Sequence, residues 1–127
     1  FNYVKGEEWR SQKIVKELVK EYFQNKPNGL PGNDDTGTMS AWLVYAMMGI
    51  YPVSPGEPKY AITTPIFDKI TIQLDPKYYK KDKLVIEKIE NGKGKIDKIQ
   101  LKGKQHRSYF ISHDVLVNGA HLKIIQK

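Results

Sequence analysis

Cysteine is absent from the 127 residues, which excludes disulfides and thiolate metal sites and leaves the compartment open. Long apolar runs are missing as well. The longest, Ala41 to Tyr51, falls short of the roughly 20 residues a bilayer-spanning helix needs, so no membrane segment is expected. Apolar residues are few, 39% against 28% charged, a balance that suits one rather polar globular domain and neither a disordered nor a fibrous chain. No initiator methionine and no basic-then-apolar leader precede Phe1-Asn2-Tyr3, which reads as a mature or excised piece. Internal repeats and low-complexity tracts are also missing.

What is abundant is lysine. The formal charge is +7 and the isoelectric point about 9.5, enough to attract polyanions non-specifically. Between Lys77 and Lys104 the lysines mostly alternate with apolar residues, as on the solvated faces of strands. No nucleic-acid-binding motif with base-stacking aromatics accompanies them, so no nucleic acid partner is expected. His106, His113 and His121 are spread over separate turns and strands without ligand spacing. Ser54, Ser108 and Ser112 lack a nucleophile elbow.

The periodicity divides the chain in two. Ile14, Val15, Leu18, Val19, Tyr22 and Phe23 recur at three- and four-residue spacing, predicting an amphipathic helix over 7–24, and Pro27 with Asn28-Gly29 ends it. A second helix is expected from Thr36 or Thr38 to Gly49. It is apolar nearly all round, as an interior helix of a larger core would be. Trp42, Tyr45, Met47 and Met48 are read as core. After Gly49 the prolines at 52, 55 and 58 break helices, and short alternating runs follow, punctuated by Asp75-Pro76, Asn91-Gly92, Lys102-Gly103 and Asn118-Gly119. These predict antiparallel strands and hairpins. The expected fold class is α+β, two N-terminal helices followed by an antiparallel β-meander, with a helical part over 1–56 and a β part over 57–127.

Between the two predicted helices stands GLPGNDDTGTMSAW, residues 29–42. Asp34 and Asp35 repel each other, so their adjacency needs a helix terminus, a cation or a substrate to use the charge. Asp34, Asp35 and Thr36 are all N-cap candidates. The run from Gly29 through Gly56, continuing in Tyr60-Ala-Ile-Thr-Thr-Pro-Ile-Phe-Asp-Lys69, closely resembles the C-terminal signature of the family-ninety-two glycoside hydrolases, calcium-dependent exo-acting α-mannosidases. A weaker likeness persists in Leu101-Lys-Gly-Lys104 and His113-Asp-Val-Leu-Val-Asn-Gly119, and Glu8-Trp-Arg-Ser-Gln12 is similar to the family's lead-in.

The resemblance implies the last part of an (α/α)6 barrel from an enzyme several times longer. It also implies hydrolysis of terminal α-linked mannose with inversion. Inversion uses a carboxylic acid and a carboxylate roughly 6.5–9.5 Å apart on opposite faces of the sugar, which neighbours on one loop do not provide. In the family's pattern the last acid of this loop is the general base, which here is Asp35. Asn33 stands where relatives often have an acid and is expected to help position the water through its amide; Asp34 is expected to support or cap. The family's general acid is a glutamate upstream. Glu7, Glu8, Glu17 and Glu21, on a lysine-rich face, do not fill that place. Calcium is implied for the parent, with ligands mainly upstream; Asn33 to Gly37 lacks the alternating oxygen ligands of an EF-hand loop, and no metal ligand is expected in this chain.

The expected function is therefore the C-terminal part of an exo-α-mannosidase acting on mannose-containing glycans, inactive as an isolated piece and self-associating through its second helix. By family analogy it would be periplasmic, surface-bound or secreted in a bacterium. The alternative from another class is a non-catalytic carbohydrate-binding or interaction module built on the strands.

Overall fold

The computed structural model describes residues 1–92 and 94–127. Helix α1 runs Glu8–Tyr22 and gives way to extended backbone at Phe23. The chain then closes a tight turn in which the Gln24 N–H donates to the Gly29 carbonyl at 2.9 Å. Only glycine fits at 29, since a Cβ there would lie 1.8 Å from the Gln24 carbonyl oxygen. Helix α2 runs Thr38–Met48. It stops at Gly49, whose left-handed φ of 75° turns its N–H back onto the Ala46 and Tyr45 carbonyls in the usual glycine C-terminal cap.

The strands form two sheets. β1 (Ile50–Pro52), β2 (Lys59–Ile62) and β7 (Phe110–Ser112) make an antiparallel sheet in the order β1-β2-β7. β3 (Lys69–Gln73), β4 (Lys83–Glu90), β5 (Ile96–Leu101), β6 (Lys104–His106) and β8 (His121–Gln126) make the second, in the order β3-β4-β8-β5-β6. The short helix α3, His113–Val117, leads into β8.

The α+β class with helices first is as expected, and the β5–β6 hairpin turns on Lys102-Gly103, both left-handed, as a two-residue hairpin loop requires. The strand order departs from a simple meander at two places: β7 pairs with β2 in the three-stranded sheet, and β8 crosses over in the five-stranded one. β8 inserts between β4 and β5, parallel to β4 from Val85 opposite His121 to Glu90 opposite Gln126. The reason is burial: Leu122 and Ile124 are 0% exposed and need a strand on each side.

One core joins both sheets. Ile62, Ile86, Leu122 and Ile124 are fully buried at its centre, and Ile50, Ile99, Ile111 and Leu116 close around them. Each such side chain contributes about 1.5–3 kcal/mol by leaving water. α2 rests on this core through Tyr45 and Met48, and the stretches 1–56 and 57–127 are stitched by the β1–β2 ladder and by the Thr63 N–H on the Gly49 carbonyl. α1 is held differently. Its buried residue is Gln12, whose Oε1 accepts the Ile96 N–H at 3.0 Å, while Ile14, Leu18 and Tyr22 remain 41%, 36% and 55% exposed.

Candidate active site

The core thus anchors the C-terminal half of α2 and leaves its first turn to carry the 24–37 loop. The ends of that loop are brought together by Phe23 and Trp42, whose rings stack 5.6 Å apart at 14°. Beside the stack lies a cleft of about 390 Å³ lined by Leu18, Tyr22, Phe23, Met39, Trp42 and Tyr51, together with Asn33, Asp34 and Asp35. Trp42, expected in the core, is only partly buried here. A helix apolar on every side carries no periodicity to say which face is inside.

The two adjacent carboxylates are in different situations. Asp34 folds back on the helix: Oδ1 accepts the Ser40 N–H and Oδ2 accepts the Ser40 hydroxyl, each at 2.7 Å. The Ser40 hydroxyl and then its N–H hold the Asp34 carboxyl below the ordinary aspartate range, because both donate to the charged form. Asp34 therefore satisfies a first-turn N–H as an N-cap side chain does. The residue at the N-cap itself is Gly37, with φ 86° and no side-chain cap, so neither Asp35 nor Thr36 fills that role.

Asp35 is exposed, and among the described residues no side chain pairs with its carboxylate. Its backbone, in contrast, is tightly held. The carbonyl oxygen accepts the Thr36 hydroxyl at 2.5 Å and the Thr38 hydroxyl at 2.8 Å. Asp35, Thr36 and Gly37 have φ of 44°, 61° and 86°, a left-handed run rarely seen outside glycine and an outlier for a β-branched threonine. Asn33, also exposed, joins Asp35 in lining the cleft. One loop thus offers a free carboxylate, an amide two residues before it, and a capped carboxylate between them.

The other candidate groups lie elsewhere. Glu7 pairs with Arg10, Glu17 with Lys13 at 3.7 Å, and Glu8 accepts the Gly6 N–H; none of the cleft-lining residues is a glutamate. His106 bonds the Phe110 carbonyl, His113 the Tyr60 hydroxyl, and His121 the Glu87 carboxylate at 2.7 Å. The His121 contact is the main reason that Glu87 is held below its ordinary range. Among the described residues no three His, Asp or Glu side chains gather as a metal site would need.

The chain's likenesses cover nearly all of it. The sequence pattern of the glycosyl hydrolase family 92 catalytic domain matches residues 1–125. An uncharacterized secreted glycosidase of the fungus Arthroderma benhamiae is 31% identical over 119 residues, 90% of this chain and 15% of that protein. In a solved structure, a family 92 α-mannosidase of Bacteroides thetaiotaomicron in complex with mannoimidazole superposes on 99% of this chain with a TM-score of 0.86 at 29% identity. A family 92 inverting mannosidase from the same organism covers 93% with a TM-score of 0.80 at 32% identity. The chain spans 16% of each of these two structures.

Proposed function

From the premise that the chain belongs to glycosyl hydrolase family 92, we propose that it is the C-terminal part of an exo-acting α-mannosidase and supplies the loop that activates water. The observation that carries this reading is the division of labour in the loop. Asp34 is occupied by Ser40, whereas Asp35 lines a cleft with its carboxylate unpaired among the described residues. A general base must be ionised and able to reach the water, and Asp35 meets the second condition where Asp34 does not.

In this scheme Asp35 takes a proton from water as the water oxygen bonds to the anomeric carbon. The glycosidic oxygen leaves on the opposite face, protonated by a carboxylic acid. The acid must stand roughly 6.5–9.5 Å from the base for an inverting displacement, so Asp34, next in the chain, cannot serve; the family resemblance implies that the acid is a glutamate upstream in the parent. The Asn33 amide is suited to hold the water by accepting or donating a hydrogen bond. Asp34 keeps the loop on its helix.

Calcium is part of the proposed parent, and its fit to this chain is poor. Calcium takes 6–8 oxygen ligands, whereas both Asp34 oxygens are engaged by Ser40 and no cluster of three acidic or histidine side chains stands among the described residues. The proposal keeps the ion's ligands mainly upstream, as the family resemblance implies, and no step is derived through it. The secreted glycosidase among the relatives supports a secreted enzyme; a bacterial periplasmic or surface location is the narrower form of that proposal.

The test is Asp35→Asn in the full-length parent, assayed on terminal α-mannosides with the first-formed anomer followed by proton NMR. Loss of turnover by about 10²–10⁴-fold, with substrate binding retained and β-mannose appearing first from the unmutated enzyme, is expected. Undiminished turnover in the variant refutes the assignment of the base, and α-mannose appearing first refutes inversion.

A further inference from the structure

Among the described residues Asp35 is reached by no side chain at its carboxylate but by two at its backbone. The hydroxyls of Thr36 and Thr38 both donate to its carbonyl oxygen, at 2.5 and 2.8 Å, and the Thr38 N–H approaches the same oxygen at 3.4 Å. These bonds span the left-handed run Asp35-Thr36-Gly37. Aspartate visits such a conformation more readily than most residues, but β-branched Thr36 would not hold it by preference, and it persists there only where surrounding contacts over-determine it. Gly37 alone adopts it freely. Relaxed to ordinary backbone, the segment would redirect the Asp35 side chain relative to the helix terminus that Asp34 already occupies.

We propose that Thr36 and Thr38 are positioning residues that clamp the Asp35 carbonyl so that its carboxylate is aimed into the cleft. The clamp acts on Asp35 through the backbone, without touching substrate. The inference rests on Asp35 being the base. It adds two residues whose hydroxyl groups, and not merely their size, matter to the rate. A displacement of the base by an ångström is enough to slow a reaction about 10²-fold, so the effect belongs in kcat and not in the affinity for the sugar.

Thr36→Val and Thr38→Val in the full-length parent remove each hydroxyl while keeping shape and branching, and Thr36→Ser and Thr38→Ser keep the hydroxyl. Each valine variant is expected to lower kcat about 10- to 10²-fold at unchanged KM, and each serine variant to restore most of the rate. If the valine variants do not fold, Thr36→Ala and Thr38→Ala replace them with the same expectations. Asp35→Asn runs alongside. If it is inactive while the hydroxyl-free variants turn over like the unmutated enzyme, the clamp is overturned and the base assignment stands. A rate loss that serine fails to restore also overturns the clamp, and an active Asp35→Asn overturns both.

Discussion

Asp34 and Asp35 carry identical side chains one peptide apart, yet Ser40 takes both oxygens of the first and none of the second. The Asp34 carboxyl is depressed in the folded chain relative to the unfolded one, so its contribution to stability is fully present above the unfolded aspartate value of about 3.9. That contribution is lost as the pH falls through the lower folded value. Asp34→Ala should therefore lower the thermal midpoint of the full-length parent at neutral pH, and the gap from the unmutated protein should narrow below about pH 4. A gap that stays constant with pH would mean that the carboxylate's bonds to Ser40 do not stabilise the loop.

At the scale of elements, the loop is placed by what happens at the far end of α2. Gly49 combines a left-handed φ of 75° with an approach so close that a Cβ would lie 2.6 Å from the Pro65 nitrogen, and its carbonyl accepts the Thr63 N–H. Gly49→Ala meets both obstacles, and the left-handed backbone alone costs an L-residue about 1–2 kcal/mol. The expected result is faster hydrogen exchange at Thr63 and at Ile66, whose N–H donates to the Met47 carbonyl, together with a lower thermal midpoint. Unchanged exchange at both amides would show that the α2 terminus tolerates a side chain. At the loop's own end of the helix, the Phe23–Trp42 stack joins α1 to α2, so α1 enters the site by fixing where the loop begins.

At the scale of the whole molecule, the unusual feature is how much apolar helix surface faces outward. Ile14 of α1 and Val44 of α2 are 41% and 54% exposed, and the chain spans only 16% of each of the two family 92 structures it resembles. Exposed apolar surface on that scale favours association. The isolated 127-residue chain is expected to sediment as a dimer or larger species and to show no turnover of α-mannosides, since no candidate acid accompanies Asp35 in its cleft. A monodisperse monomer would refute the first expectation, and measurable hydrolysis the second.

Much of this was legible in the residues alone, because the signals were local. The spacing of Ile14, Val15, Leu18 and Val19 specified α1, Gly49 specified the end of α2, Lys102-Gly103 specified a hairpin, and the run from Gly29 to Trp42 carried the family. Tertiary structure decided what depends on distant partners. β8 went between β4 and β5 because Leu122 and Ile124 had to be covered on both sides, a requirement invisible in alternation alone. Trp42 faced the cleft because a uniformly apolar helix does not encode its own orientation. The separate situations of Asp34 and Asp35 arose from a left-handed run through Thr36, a conformation that no propensity assigns to threonine and that only the surrounding hydrogen bonds could impose.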